Sequence, residues 1–282
     1  MYKQFADDTT IYYSSENLNT CVEKINGDLL KIDKWCEENN MCLNTKKTKA
    51  MIFGKSNSTK KLKIINLDVH INENKISPVR TYKYLGITLD QNLTFNSHIN
   101  QIIKNSNHKI FMLKRIRQYL TVKSSILVYK NFILPVIEYG SILYMTSNKK
   151  LLDRLQTIQN FGLKCCLQVN KRTDTYLIHK SCNINYLKDR RECQLLKAMF
   201  LREKEEEYKL KRTEGVQTRS VSTHSLYVPH FLSDQAQKSV MYRGATLWNN
   251  QSPSLRCICD KKNFNAKMKQ ILEKKRSEYI RE

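Results

Sequence analysis

Two adjacent carboxylates, Asp7 and Asp8, are the residues of this chain whose type and spacing most directly suggest chemistry. They stand between a short segment, Tyr2 to Phe5, and the β-favouring run Thr9-Thr10-Ile11-Tyr12-Tyr13. That pattern predicts a β-hairpin with two acids at its tip. Neighbouring carboxylates at a tight turn repel each other, and a divalent cation removes the repulsion, as in two-metal phosphoryl transfer. The pair therefore asks for Mg²⁺. The plain alternative is an acidic β-turn, because Asp tolerates turn conformations by bonding its own backbone.

The elements that would position this pair are legible in the periodicity. Leu18, Val22, Ile25, Leu29, Ile32 and Trp35/Cys36 recur at three- and four-residue steps, with charged residues mostly between them. An amphipathic helix against a sheet is predicted, ending at Asn39-Asn40. Strands are predicted over Lys49 to Phe53, over the alternating Leu67-Asp68-Val69-His70-Ile71, at Lys75-Ile76 and from Tyr82 to Leu89, with a turn at Asn72-Glu73-Asn74.

From Asn96 the period becomes helical. Ile99, Ile102, Ile103, Ile110, Leu113, Ile116 and Leu120 form one face of a long helix, and Lys104, Lys109, Lys114, Arg115 and Arg117 decorate the rest. Such a basic face suits sequence-independent contact with a nucleic-acid backbone, the alternative being a solvated surface. Further helices are predicted over Ser124 to Tyr144, Lys149 to Leu167 and Tyr186 to Glu207, and the polar stretch from Lys209 to Ser225 reads as a linker. A basic helix over Asn263 to Ile280 places Phe264, Met268, Ile271 and Leu272 on one side. Its flanking lysines would bind RNA, serve as a nuclear address or belong to a frayed tail.

Charge narrows the partners. The 282 residues hold 49 Lys and Arg against 26 Asp and Glu, a net charge of +23 that points to a polyanion. The excess lies beyond residue 60: up to there nine Lys face eight acids, and afterwards forty basic residues face eighteen acidic ones. The apolar window Ile126 to Met145 is interrupted by Lys130, Pro135 and Glu138, so it reads as buried helix and no membrane partner is expected. With no secretory signal at its start, the chain is expected to be intracellular, in nucleus or cytoplasm, and not secreted. The nine cysteines form no Cys-x-x-Cys pair, which disfavours zinc and favours reduced thiols. The absence of a Gly-x-x-x-x-Gly-Lys string argues against an ATPase.

Phe5-Ala6-Asp7-Asp8-Thr9 resembles the catalytic hairpin of reverse transcriptases, and the blocks beyond it are similar to those of non-LTR (LINE-type) retrotransposons. Leu43-Asn44-Thr45-Lys46-Lys47-Thr48, continuing to Phe53, resembles that family's Leu-Asn-x-x-Lys-Thr stretch leading into a palm strand. Tyr82-Lys83-Tyr84-Leu85-Gly86-Ile87-Thr88-Leu89-Asp90 resembles its primer-grip strand, and Leu93-Thr94-Phe95-Asn96-Ser97-His98-Ile99 its approach to the thumb. Four blocks in the family's order are more specific than one. Thr218-Arg219, Val228-Pro229 and Gly244-Ala245-Thr246-Leu247-Trp248-Asn249 resemble the region after the thumb, where a Trp-Asn pair usually precedes Leu-Pro; here Asn250-Gln251-Ser252-Pro253 comes next.

The resemblance implies an α+β fold. Residues 1–95 would be the distal half of a polymerase palm, an antiparallel sheet with a packed helix, including the catalytic hairpin and primer grip. A helical thumb-like region over 96–204, a linker over 205–225 and a basic C-terminal extension over 226–282 would come after it. It implies an RNA-directed DNA polymerase, a nucleotidyltransferase of a transposable element, that joins a primer 3′-oxygen to the α-phosphorus of a dNTP on an RNA template. Asp7 would ligate both Mg²⁺ ions or the catalytic one, and Asp8 would support it. Lys47 would lie near the triphosphate, or else be a surface-loop lysine. Tyr84, Leu85 and Gly86 would shape the primer grip. In this family a further aspartate from an upstream strand completes the metal site and would lie before Met1, so the chain is expected to be an inactive fragment by itself. The alternative, of a different class, is a non-catalytic basic nucleic-acid-binding module derived from such an element.

Overall fold

The computed structural model describes residues 2–54, 67–203, 224–231 and 233–279, in two separately packed units, Met1–Phe95 and Asn96–Glu282. Small antiparallel sheets and many helices make it an α+β protein.

In the first unit Tyr2–Phe5 (β1) pairs with Asp8–Ile11 (β2), and the helix Leu18–Glu38 (α1) comes next. The helix begins where the Asn17 side chain accepts the Asn19 N–H at 2.9 Å. It stops at Asn39, beyond which Asn40 takes a left-handed φ of 56°. The expected stripe does its work: Leu18, Val22, Ile25 and Leu29 pack with Leu67, Val69, Ile71 and Ile76. At the stripe's end, Cys36 is buried and Trp35 faces solvent. Asn26 fastens the helix to the strand His70–Ile71 (β3), donating to the Asp68 carbonyl at 2.8 Å and accepting the His70 N–H at 3.2 Å.

β3 pairs with Asn74–Lys75 (β4), and Thr81–Tyr84 (β5) pairs with Ile87–Asp90 (β6), each antiparallel. The three hairpins remain three two-stranded sheets. The strand expected over Lys49 to Phe53 shrinks to one parallel bridge between Ala50 and Pro78. Proline has no N–H, so the ladder cannot continue through that partner.

The second unit opens with Asn96–Ile116 (α2), whose inner face buries Ile99, Ile102, Ile103, Ile110 and Leu113. Ile116, expected to continue that face, is exposed, and Arg117 turns inward instead. The helix ends there and a tighter 3₁₀ turn, Arg117–Tyr119, rotates the next side chains.

The single helix expected over Ser124 to Tyr144 is broken. Val122–Val128 (α3) widens into a π-turn over Tyr129–Ile133, then come Leu134–Glu138 (α4), Gly140 at φ 62°, and Ser141–Tyr144 (α5). The π-turn precedes Pro135, whose ring would collide with the carbonyl four residues back in a regular helix. Tyr129, Ile133, Leu134, Ile137 and Tyr144 are buried, and Glu138 receives the Arg190 guanidinium, Nη2 donating at 2.9 Å. No helix among the described residues is long and apolar enough to cross a membrane.

Lys149–Leu167 (α6), Thr175–Cys182 (α7) and Leu187–Glu203 (α8) complete this half. Residues 204–223, which carry most of the expected linker, the Thr218-Arg219 pair and the far end of the expected helix at Glu207, lie outside the described residues. The chain then returns through Asp234–Gln237 (α9), Val240–Asn249 (α10), Pro253–Arg256 (α11) and Lys261–Ser277 (α12). These do not form a separate body. Leu226, Ala245, Trp248, Leu255, Phe264 and Met268 share one core with Leu195, Leu196, Met199 and Phe200 of α8. The Trp-Asn pair acquires a physical role here: Trp248 Nε1 donates to the His224 carbonyl at 2.8 Å, and the Asn249 amide exchanges two bonds with the Leu226 backbone. All nine cysteines are free thiols, and burial pushes the Cys166 thiol up to about 12.

Candidate active site and nucleic-acid interface

The register Phe5↔Asp8 leaves only Ala6 and Asp7 in the first hairpin's loop. Asp7 is at the tip, Asp8 begins the return strand, and both are exposed. Ala6 has φ 53°, a left-handed conformation uncommon for a residue with a Cβ, and its carbonyl accepts from Gln4 Nε2 at 3.2 Å. Strain of this kind clusters where a chain holds a functional group in a set direction. Among the described residues neither carboxylate makes an ion pair, and no group of three His, Cys, Asp or Glu side chains assembles. Two exposed, uncommitted carboxylates fit a hard divalent cation, which takes one or two of them along with water and phosphate oxygens. A third protein ligand is not present among the described residues.

Lys47 lies in a turn built by Asn44. Asn44 Oδ1 accepts the Lys47 N–H at 3.0 Å, and its carbonyl accepts the Thr48 hydroxyl at 2.9 Å. The lysine side chain is left exposed. Ile11, three residues past Asp8, and Leu43 and Ala50, either side of Lys47, all pack against the core of the first unit. One hydrophobic cluster thus anchors both the acid pair and the lysine.

In the β5–β6 hairpin Tyr84 pairs with Ile87, so Leu85 and Gly86 form its loop with φ 45° and 81°. Two left-handed residues in succession are the signature of a type I′ turn. Glycine suits it, whereas a left-handed leucine costs about 1–2 kcal/mol. Beyond the hairpin, Asp90 organises the connection to Phe95. Its carboxylate accepts the N–H groups of Asn92 at 3.1 Å, Thr94 at 3.0 Å and Phe95 at 2.8 Å, and the Thr94 hydroxyl at 3.1 Å. That carboxylate holds Leu93 and Phe95 in left-handed conformations, φ 51° and 57°. Sequence reading missed this role; the Asp-x-x-x-Thr spacing was its one visible trace.

The basic residues of α2 divide. Lys104, Lys114 and Arg115 are exposed. Lys109 is turned onto its own fold, its ammonium 3.0 Å from the Phe132 carbonyl and 3.8 Å from the centroid of the Phe132 ring. Arg117 is 5% exposed and donates from Nε to the Cys166 carbonyl at 2.8 Å and from Nη1 to the Leu120 carbonyl at 2.5 Å, which makes it an internal staple. Beside the exposed cations stand large side chains that were not anticipated on a surface: Phe111, Met112, Ile116 and Tyr119.

Comparison with known proteins relates the sequence to polymerases of mobile elements. The chain is similar to the RNA-directed DNA polymerase from mobile element jockey of Drosophila melanogaster, 28% identical over 158 residues that cover 55% of this chain and 17% of that protein. It is similar to the probable RNA-directed DNA polymerase from transposon X-element of Drosophila melanogaster, 26% identical over 163 residues, 57% of this chain and 17% of the relative. A third relative, the probable RNA-directed DNA polymerase from transposon BS of the same fly, is 22% identical over 188 residues, 66% of this chain and 20% of the relative. The chain thus spans a fifth or less of these relatives. No family model and no solved structure matches it. The chain is related to the reverse transcriptases of non-LTR retrotransposons, as its four motif blocks suggest.

Proposed function

We propose that this chain is part of an RNA-directed DNA polymerase, with residues 1–95 as the distal half of the palm, 96–204 as a thumb-like region and 226–282 as a basic C-terminal extension. The observation that carries the reading is the two-residue hairpin loop presenting Asp7 and Asp8 to solvent, uncommitted to any internal pair. These two carboxylates would hold Mg²⁺. A divalent cation there supplies the lowered pKa of a primer 3′-oxygen and the neutralisation of a departing pyrophosphate.

The chain's own groups orient the rest. The rigid turn of Asn44 sets Lys47 on the same core as the hairpin, as a cation for the dNTP triphosphate. The type I′ loop at Leu85-Gly86 brings bare backbone close to a primer terminus. Lys104, Lys114 and Arg115 contact the phosphates of an RNA/DNA duplex, and Arg117 keeps the end of that helix in place. The protein would work inside the cell, in nucleus or cytoplasm. With two carboxylates and no third ligand among the described residues the in-line geometry is incomplete, so the chain alone should not polymerise.

Paramagnetic broadening tests the metal site. Titrated Mn²⁺ should broaden the amide resonances of residues 5–9 first, and Asp7→Asn with Asp8→Asn should abolish that selectivity. Uniform broadening across exposed acids would remove the metal reading. Primer extension on an RNA template with Mg²⁺ should give no product from the isolated chain, and templated product sensitive to Asp7→Ala would overturn the incomplete-site argument.

A further inference from the structure

Helix α12 splits its basic residues between two tasks. Its inner side is part of the second unit's core, with Phe264 stacked on Phe200 at 4.2 Å between centroids and Met268 buried beside it. Two cations near its C-terminal end are committed to the fold. Lys275 Nζ reaches Asp189 at 3.2 Å and Glu192 at 2.9 Å, and Arg276 donates to Asn185 at 2.9 Å. The start is capped by Asp260, which accepts the Asn263 N–H at 2.7 Å. This is a fixed helix and not a frayed tail.

Lys261, Lys262, Lys267, Lys269 and Lys274 remain on the outside, all exposed. Lys274 has Glu278 at 3.8 Å; the other four make no ion pair among the described residues. At about 100° per residue, Lys262 and Lys269 fall in one row and Lys267 and Lys274 in a second. Each row spans about 10 Å along the axis. Between the rows run Ala266, Gln270 and Ser277, small or neutral, with Glu273 the one acid in that ridge.

We propose that this outer face of α12 is a second binding surface for the sugar–phosphate backbone of nucleic acid, separate from the α2 face. Two rows of exposed cations on a fixed helix, three of the four outside any ion pair among the described residues, complement a polyanion whose charges recur every few ångströms. Lysine supplies point charges without the bidentate fork that reads guanine, so the contact is independent of sequence. A membrane surface fits less well, because an interfacial helix inserts its apolar side and here that side is committed to Phe200 and its neighbours. A protein partner would want apolar or aromatic anchors, and the face between the rows carries none.

The test uses the full chain. Anisotropy titrations of a fluorescein-labelled 30-nucleotide RNA between 50 and 200 mM salt compare wild type with Lys262→Ala, Lys267→Ala, Lys269→Ala and Lys274→Ala combined. A Lys→Gln set at the same positions serves as the second variant, and both are checked for an unchanged melting profile. The expected result is a loss of affinity of about tenfold or more at low salt and a slope of log Kobs against log salt shallower by about 3, at roughly 0.7 per lost phosphate contact. An unchanged slope in either folded variant overturns the proposal. So does loss of binding to phosphatidylserine vesicles with RNA binding intact. A parallel triple variant, Lys104→Ala with Lys114→Ala and Arg115→Ala, reports on the α2 face alone, so either surface can fail without the other.

Discussion

Helix α6 packs along α2 with Gly162 at the contact, which makes a sharp test of the second unit's packing. A methyl at Gly162 would lie 2.6 Å from Tyr129 Cε2 and 3.2 Å from Ile110 Cδ1. Carbon atoms are comfortable at about 3.5–4.0 Å, so the ring must retreat by about 1 Å. It has nowhere to go: Tyr129 and Ile110 are both fully buried. Overpacking of this kind costs about 1–3 kcal/mol, while alanine's better helix propensity returns up to about 1 kcal/mol. A 2.6 Å contact with a ring that cannot retreat sits at the top of that range, so Gly162→Ala should destabilise by about 2 kcal/mol.

Gly27, inside α1, provides the control, since a Cβ there meets nothing within 4 Å. Gly27→Ala should stabilise the first unit by about 0.5–1 kcal/mol. Urea unfolding read by native-state hydrogen exchange separates the two units and gives each sign. Gly162→Ala with Tyr129→Leu should recover part of the loss, and Gly162→Ala with Tyr129→Phe should recover little, because the clash is with the ring edge and not with the hydroxyl. If Gly162→Ala is as stable as wild type, or if both glycines respond alike, the packing argument is wrong.

Other perturbations act through single groups. Tyr129 Oη is buried with no hydrogen-bond partner in the described structure, so Tyr129→Phe alone should be neutral or stabilise by up to about 1 kcal/mol in urea melts. Burial holds the His179 imidazole neutral, its pKa down to about 4 from 6.5, against the opposing pull of the Ile184 carbonyl. As pH falls through 6.5 the unfolded chain takes a proton that the native state refuses until about 4. Stability present above 6.5 is therefore lost across that window, by about 3 kcal/mol, and a His179→Asn variant should show a flatter profile between pH 7 and 4.5. Asp90→Ala removes the acceptor of three backbone N–H groups and should destabilise the first unit by about 2–3 kcal/mol, with faster exchange at Asn92, Thr94 and Phe95. Asn249→Ala breaks both bonds to Leu226 and should cost about 2 kcal/mol, seen as early exchange of residues 224–228.

What could be read in the sequence was local. The acid hairpin needed only β-favouring flanks around a two-residue loop, and the stripes of α1 and α2 needed only their own period. The helix expected over Ser124 to Tyr144 failed for a local reason, Pro135, but two other failures have a partner far away in the chain. Lys49 to Phe53 had strand propensity, but its neighbour proved to be Pro78. Ile116 had the right spacing, yet the helix stopped there because the Cys166 carbonyl, on another helix, claimed Arg117. The lysines make the same point more strongly. Lys109 and Lys104 look equivalent along α2, as do Lys275 and Lys274 along α12. What separates a cation turned onto the fold from one left on the surface is the Phe132 carbonyl in one case and Asp189 with Glu192 in the other. Net charge measures how much positive potential a chain carries, but only the tertiary fold decides which side chains remain to deliver it. The acid pair obeys the same rule from the other side. Asp90 is spent on three N–H groups, whereas Asp7 and Asp8 are spent on nothing among the described residues, and carboxylates left uncommitted at a strained loop are the ones available to a cation.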